Sequence, residues 1–331
     1  MIEISEVDPD DDVTLRAFWE VEEAATRPDR PFALLRTWAT LTASLRNPNP
    51  YHRRTLWIAR DGDEVVGCAE VSGALQDNTH IGFLDISVLP SHRRRGIGAD
   101  LHDVAVANLR EDGRTSVCGE TYVPAGAASS AAFDFATRLG FEEVHREDHL
   151  VLDLPVPTAE IERLRAKADG AAYDVVIWQD RCPDEHVAAF CEMHTRMEND
   201  VPTGDIDLEP VVMTEERLRT GEARLARSYL GITAAARRRS DGVFGGYTQL
   251  YLAHDVDYVQ QDDTLVMPEH RGHRLGTLLK CATLEIVQRE HPERVTVHTD
   301  TAVDNEAMQA TNRDFGFRTV ERLHEMQRRD A

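Results

Sequence analysis

Two stretches of this chain carry residue types whose spacing could hold a diphosphate. The first reads Val88-Leu-Pro-Ser-His-Arg93-Arg94-Arg95-Gly96-Ile97-Gly98. The second reads Val266-Met-Pro-Glu-His-Arg271-Gly272-His273-Arg274-Leu275-Gly276. Each follows a strand-like run and opens an amphipathic helical pattern. The first N–H groups of a helix lack intrahelical partners, and the helix dipole adds partial positive charge there. Glycine lets the backbone come close to a ligand, and arginine adds charge pairing. Strand, basic glycine-bearing turn and helix together form a site for pyrophosphate. For a single copy the plainer alternative is a helix start with solvated arginines. Here the copy recurs, and each is followed by a similar signature, Leu139-Gly140-Phe141 and Phe315-Gly316-Phe317.

The elements that must position these turns follow the same plan twice. In the first half a helix is expected over 14–23. Strands are expected at 55–59 and 65–71, joined by the hairpin signal Arg60-Asp-Gly-Asp63, and at 81–88. Ile97, Leu101, Val104, Ala105 and Leu109 then mark one helix face. A strand at 115–121 and a helix at 129–139 follow, the helix ending at Gly140. In the second half strands are expected at 175–178, 228–236, 243–253, 262–267 and 295–299. Helices are expected at 186–199, from Leu275 through Ile286, and at 306–315. Pro155-Val-Pro and a charged helical stretch to Lys167 read as a connection, closed by Asp169-Gly170. The order predicts an α/β (α+β layered) unit occurring twice. The expected domains are 1–155 and 173–331, with a linker over 156–172. Halves of roughly 150 residues are long enough to bury a sizeable core.

The formal net charge of −22 argues against nucleic acid and anionic membrane as partners, since both are polyanions. No apolar run approaches the roughly 18 residues of a membrane span, and no signal-peptide pattern opens the sequence. The cytoplasm is the expected location. Cys68, Cys118, Cys182, Cys191 and Cys281 lie far apart, without metal-ligand spacing, and read as reduced thiols. No metal is expected. Lys167 and Lys280 are the only lysines.

The pattern Val-x-Pro-x-x-Arg-x-x-Gly-x-Gly, followed by strand, helix and Leu-Gly-Phe, resembles the GNAT superfamily of acyl-CoA-dependent N-acyltransferases. Because it covers most of both halves, the chain resembles a tandem GNAT protein with a mycothiol-synthase-like two-domain arrangement. The resemblance implies two GNAT folds, each a splayed, mixed, mostly antiparallel sheet flanked by helices. It implies acetyl-CoA as cosubstrate, with its pyrophosphate on the turn and its acyl end in the split between the fourth and fifth strands. The cofactor-binding residues carried over are Val88, Arg93, Arg94, Arg95, Gly96, Ile97 and Gly98 in the first half. In the second half they are Val266, Arg271, Gly272, His273, Arg274, Leu275 and Gly276, with Asn305 at the start of the last helix.

The halves depart from the family pattern differently. Arg274 stands where a glycine is usual, which is expected to weaken the second turn, with Gly272 supplying slack. Proteins of the superfamily often carry a Tyr seven residues after the Asn; here that position is Asn312, and the first half has Ser129 and Ala136. A base is needed because the amine arrives mostly protonated and only the neutral form attacks. Asp85 and Asp263 match one another, as do Glu120 and Asp300. Asp262 and His254 are further candidates, and Asp263, Asp300 and Asn305 are the expected catalytic set. The run Met193-His-Thr-Arg-Met197-Glu198-Asn199-Asp200-Val-Pro-Thr-Gly204-Asp205 is expected over the acceptor groove, with Glu198, Asn199 and Asp200 binding substrate. By analogy with the tandem arrangement, the C-terminal unit is expected to be catalytic. The N-terminal unit is expected to bind CoA and to be degenerate in catalysis.

These features predict an acetyl-CoA-dependent N-acetyltransferase acting on a small-molecule amine. A protein N-acetyltransferase and a non-catalytic acyl-CoA-binding or sensing module are the alternatives. A monomer or a homodimer is expected, the repeat itself being able to provide an interface.

Overall fold

The computed structural model describes residues 1–168, 170–200 and 204–329. Asp169 of the expected linker and Val201, Pro202 and Thr203 of the expected acceptor run lie outside the described residues. The first elements are β1 (Ile2–Glu6), α1 (Asp12–Thr26), α2 (Trp38–Leu45), β2 (His52–Asp61), β3 (Glu64–Ala74), β4 (Ile81–Val88), α3 (Ile97–Glu111), β5 (Ser116–Pro124), α4 (Ala131–Arg138) and β6 (Glu142–Asp153). There follow α5 (Thr158–Arg165), β7 (Tyr173–Gln179), α6 (Val187–Asp200), α7 (Glu215–Leu225), β8 (Tyr229–Arg238), β9 (Phe244–Ala253), β10 (Tyr258–Val266), α8 (Leu275–Glu290), β11 (Thr296–Ala302), α9 (Glu306–Phe315) and β12 (Arg318–Arg329).

The chain forms two compact units, and neither is contiguous. Unit 1 comprises Met1–Arg146, Thr203–Glu209 and Glu321–Ala331; unit 2 comprises Glu147–Pro202 and Pro210–Val320. In unit 1 the strand order is β1-β2-β3-β4-β5-β12, and in unit 2 it is β7-β8-β9-β10-β11-β6. Both sheets are mostly antiparallel. The parallel pairs are β4 with β5 and β10 with β11. This is the mixed α/β layered architecture expected from the sequence, realised twice.

These boundaries differ from the contiguous split at 155 and 173, because the last strand of each half is exchanged. Arg329 through Glu321 of β12 pair with Ser116 through Pro124 of β5. Residues 147–153 of β6 pair with β11, His298 opposite Val151 and Asp300 opposite His149. Each half supplies the strand that closes the other half's unit. The segment after 203 also belongs to unit 1. Asp205 N–H donates to Val144 O at 2.9 Å, and His80 Nε2 lies 2.9 Å from Asp207 O. That part of the expected acceptor run is therefore packed in unit 1.

Local chemistry accounts for the elements that matter to the site. Asp11 caps α1 by accepting from Val13 N–H, a cap of the favoured type. Gly62, at φ 64°, makes the turn between β2 and β3. On α3 the residues Ile97, Leu101, Ala105 and Leu109 are buried at helical spacing, whereas Val104, expected on that face, is 36% exposed. Helix α8 is buried almost all round, with Leu275, Leu278, Leu279, Cys281, Leu284 and Val287 in the core. One core of unit 1 joins α3 to β3–β5 through Val66, Val71, Leu101 and Val117. The largest core of unit 2 joins α5, α8 and the sheet through Ile161, Leu250, Leu284 and Val297.

Both parallel pairs are short. β4 and β5 are in register only over Ile81–Phe83 against Ser116–Cys118. β10 and β11 are in register only over Tyr258–Gln260 against Thr296–His298. Beyond those residues the strands part, leaving an opening in each sheet on the side where α3 and α8 begin.

Candidate functional site

Each turn comes from a proline-led helical turn, Pro90–His92 or Pro268–His270, and enters its helix without a side-chain cap. The N–H groups at the start of α3 and α8 are therefore open to an anion. The two backbones match closely. Arg93 and Arg271 are extended (φ −65° and −68°, both with ψ 159°). Arg94 and Gly272 have φ 64° and 88°, and Gly96 and Arg274 have φ 89° and 53°. Glycine and arginine have exchanged places over two left-handed positions, with Gly96 (φ 89°, ψ −16°) and Arg274 (φ 53°, ψ 37°) in different parts of that region. Arg274, the residue expected to weaken the second turn, is the N-cap of α8. It takes up a left-handed conformation that costs a residue with a Cβ about 1–2 kcal/mol.

The side chains of the turns differ more than the backbones. Arg93 pairs with Asp29 at 2.6 Å and donates to Ala25 O and Val88 O at 2.8 and 3.0 Å. It ties the turn to α1. Arg95 pairs with Asp61 at 2.7 Å, and Arg94 is exposed. In the second turn Arg271 donates to Val266 O at 3.3 Å and is exposed. His273 packs against the Tyr173 ring at 5.6 Å, and Arg274 lies 3.8 Å from Asp314. Ile97 and Leu275 are buried in their cores. Gly98 is needed for packing, since a Cβ there would stand 3.1 Å from the Phe135 ring. At Gly276 a Cβ would meet only Thr264, at an ordinary 3.6 Å.

At the opening of unit 2, a bulge in β10 between Gln261 and Thr264 sets Asp262 and Asp263 beside β9. Tyr247 donates to Asp263 Oδ2 at 2.8 Å. His194 of α6 brings Nδ1 to 3.4 Å from Tyr247 Oη and 3.9 Å from Asp263 Oδ2. Glu198, one helical turn beyond His194, stands in the field of Asp263. Burial, then repulsion from Asp263, pushes Asp262 up to about 7. The same two causes raise Glu198. Both side chains are nonetheless exposed to water. A carboxyl that water reaches but protein surrounds lies on the wall of a cleft. Burial holds the His194 imidazolium below its ordinary value despite Asp263, so the ring is neutral near pH 7. Burial, helped by Asp263, pushes the Tyr247 phenol well above its ordinary range, so it remains a donor. The bulge is held by Gln261, which donates to Thr248 Oγ1 and Gln249 O at 2.9 and 2.8 Å.

The opening of unit 1 has acids of its own, but arginines accompany them. Asp85 sits opposite Glu70 on β3. Glu70 pairs with Arg36 at 2.8 Å and Arg54 at 3.3 Å, and Arg36 also pairs with Glu22 at 2.8 Å. Against the cost of burial, Glu70 and Glu22 hold the Arg36 guanidinium more firmly protonated. Burial, then repulsion from Glu120 and Glu70, pushes Asp85 up to about 7. Glu120 accepts from Tyr122 Oη at 2.6 Å.

The remaining candidates fall in different places. Asp300 is exposed on β11, on the face opposite Thr299 and Thr301. His254 is exposed just past the end of β9 farthest from the opening. Asn305 caps α9, accepting from Met308 N–H at 3.2 Å. Asn199 bridges Thr195 O and both backbone groups of Val211, and Asp200 pairs with Arg196 at 2.5 Å. Of the expected substrate-binding trio, only Glu198 joins the acid cluster. Asn312, at the position where related proteins often carry a Tyr, is buried between Lys280 and Thr301. The sequence reading missed His194, Tyr247 and Lys280. His194 and Glu198 share a helix face at i, i+4, which was a usable signal. Tyr247 lies in a strand of apolar and small residues, and nothing in the sequence shows that its hydroxyl meets Asp263. Among the described residues no group of three His, Cys, Asp or Glu side chains could hold a metal, and no helix is long and apolar enough to cross a membrane.

Residues 52–143, from β2 into β6, match the family described as Acetyltransferase (GNAT) domain. No curated protein matches the chain in sequence. Among solved structures, the chain is similar to a tandem GNAT protein from the clavulanic acid biosynthesis pathway, solved without acetyl-CoA. The two are 28% identical, with a TM-score of 0.82 over 99% of this chain and 98% of the other. A GCN5-related N-acetyltransferase from Sphaerobacter thermophilus shares the fold at 14% identity and a TM-score of 0.70, over 99% of this chain and 95% of that one. The glucosamine N-acetyltransferase region of a fungal multi-domain GH3 β-N-acetylglucosaminidase also shares it. There the identity is 18% and the TM-score 0.67, over 99% of this chain and 38% of that one.

Proposed function

We propose that this chain, a tandem GNAT protein, transfers an acetyl group from acetyl-CoA to the amine of a small cationic molecule, with unit 2 as the site of reaction. The observation that carries this reading is the acid cluster of unit 2, where Arg217 offsets Glu198 only in part and burial still raises both Glu198 and Asp262, at a strand opening beside an uncapped helix start. The residues fit the cosubstrate. The open N–H groups from Gly272 to Gly276 and the exposed Arg271 would hold its pyrophosphate, and the bound thioester supplies the activated acyl group.

The protein's own residues do the rest. Glu198 and the Asp262–Asp263 pair attract an ammonium, and the strongly acidic surface favours its approach. Asp262, pushed up to about 7 by burial and by the neighbouring Asp263, takes a proton from the ammonium and leaves the neutral amine as nucleophile. Tyr247 holds Asp263 in place from β9, and neutral His194 adds no competing charge.

Unit 1 has a second reading, as another acyl-transfer site. It is favoured by Asp85, a cleft acid near 7, and by the match of the acetyltransferase family to residues 52–143. The arginine network around Glu70 and Glu22 makes that cleft less attractive to a cation.

Calorimetric titration with acetyl-CoA tests the reading. One site per unit is expected, because both turns enter their helices through a left-handed residue and without a side-chain cap. Gly276→Asp, which sets a negative charge against the pyrophosphate, is expected to remove one site and stop turnover. Gly98→Asp is expected to remove the other site and leave turnover in place. Full turnover in Gly276→Asp would move the chemistry to unit 1. No heat with the wild-type protein would contradict acyl-CoA binding altogether.

A further inference from the structure

Lys280 is one of two lysines in the chain, and the acids of the cleft leave it without a role. It is 2% exposed, in the second turn of α8. Its Nζ donates to Asn312 Oδ1 of α9 at 2.9 Å, and Asn312 Nδ2 donates to Thr301 Oγ1 of β11 at 3.0 Å. Phe317 lies 5.4 Å from Nζ. Among the described residues no carboxylate pairs with it, and burial alone pushes its ammonium down to about 7. An unpaired buried ammonium is costly, and an apolar side chain of the same length would pack there more cheaply.

Its position gives it a use. Thr301 stands on β11 beyond His298, the last residue in register with β10. Through Asn312, Lys280 is fixed to the β11 wall of the opening, whereas Asp262 and Asp263 are on the β10 wall. A thioester reaching from the turn at the start of α8 toward those acids passes between the two walls.

We propose that Lys280 supplies the proton taken up by the departing thiolate in unit 2. This rests on the acyl-transfer reading above. The acceptor nitrogen, its first proton already passed through Asp262 to water, forms a bond to the acyl carbon and loses its second proton to the emptied Asp262. The carbon–sulfur bond breaks with its electron pair going to sulfur, and the Lys280 ammonium gives sulfur a proton. The products are an amide and a thiol, and the lysine amine is reprotonated from water. Asn312 is the positioning residue, its oxygen holding Nζ while its amide holds Thr301 of β11.

With only two lysines, 13Cε-lysine labelling resolves Lys280 by NMR in the intact protein. Free CoA is expected to raise the apparent pKa of Lys280, because a thiolate beside it favours the ammonium, and desulfo-CoA is expected to leave it in place. Equal responses to the two ligands would overturn the contact with sulfur. In kinetics, Lys280→Met is expected to lower kcat at least about tenfold with little change in KM for acetyl-CoA, while its Tm rises. A Lys280→Met protein with a higher Tm and a kcat within about twofold of wild type would show a tolerated buried lysine and refute the proposal. Should Lys280→Met fail to fold, the wild-type NMR comparison decides alone. A wild-type protein inactive on every amine tested would sink the acyl-transfer reading and this proposal together; wild-type activity unaffected by Lys280→Met would sink only the proposal.

Discussion

The openings of the two units share one strand geometry and differ in how their acids are compensated. In unit 1, Glu70 and Glu22 are locked to Arg36 and Arg54, leaving Asp85 and Glu120 as the cleft acids without an arginine partner of their own in that network. In unit 2, Asp262, Asp263 and Glu198 face one another beside a tyrosine and a neutral histidine. Compensated charge makes a stable wall. Charge that is compensated only in part costs stability and leaves a group that binds a cation and titrates near neutrality. The fold is thus copied while the chemistry placed in it diverges.

The comparison can be broken most severely by removing its arginine. Arg36→Ala leaves Glu22 and Glu70 without their shared cation, and Glu70 is only 7% exposed. A loss of about 3–5 kcal/mol in unfolding free energy is expected by denaturant titration. A loss below about 1 kcal/mol, the scale of an exposed pair, would mean that the network is solvent-screened and that the contrast between the clefts is overstated.

A pH profile sharpens the comparison at intermediate size. The Asp262 carboxyl is raised above its ordinary value to about 7. The base function is therefore absent below about 7 and appears as pH rises through it, with kcat falling about tenfold per unit on the acid side. The stability linkage has the opposite sense. The folded state holds a proton that the unfolded chain releases near 3.8, so the contribution of Asp262 to stability is lost as pH rises from about 4 to about 7. Asp262→Asn is expected to remove that slope from a series of melting curves. An unchanged slope would place the titrating group elsewhere.

The smallest effect concerns the turns. Arg274→Gly relieves a left-handed arginine and is expected to stabilise unit 2 by about 1 kcal/mol, with acetyl-CoA affinity retained. Weaker binding would show that the Arg274 side chain itself contacts the ligand.

The sequence made the repeat legible because the turns fix their own backbone. Proline starts the short helical turn, and the following positive-φ positions show up as glycine in at least one copy. The start of α3 at Ile97, the start of α8 at Leu275, β4 over 81–88 and α9 over 306–315 could all be read in this way. Strands β6 and β12 could not. Their sequences, such as Glu142-Glu-Val-His-Arg-Glu-Asp-His, lack clean alternation because their polar side chains have partners in the folded unit. His324 pairs with Glu143 at 2.5 Å, Arg30 with Glu321 at 2.8 Å, and His149 with His298 at 3.0 Å. All are long-range contacts that local periodicity cannot express. The exchange of the two strands was hidden for the same reason. The acids of the site were visible as residue types. The place of Asp263 in the cluster depended on the bulge in β10, and the exposure of Asp300 on the face of β11 it takes.

The account turns on the aspartate pair of unit 2. The most direct measurement is acetyl transfer from acetyl-CoA to a panel of small amines, comparing Asp263→Asn with Asp85→Asn in proteins that still bind acetyl-CoA. The account predicts that Asp263→Asn lowers kcat by about 10²–10⁴, while Asp85→Asn changes it less than about threefold. The reverse order would place the reaction in unit 1 and contradict the central claim.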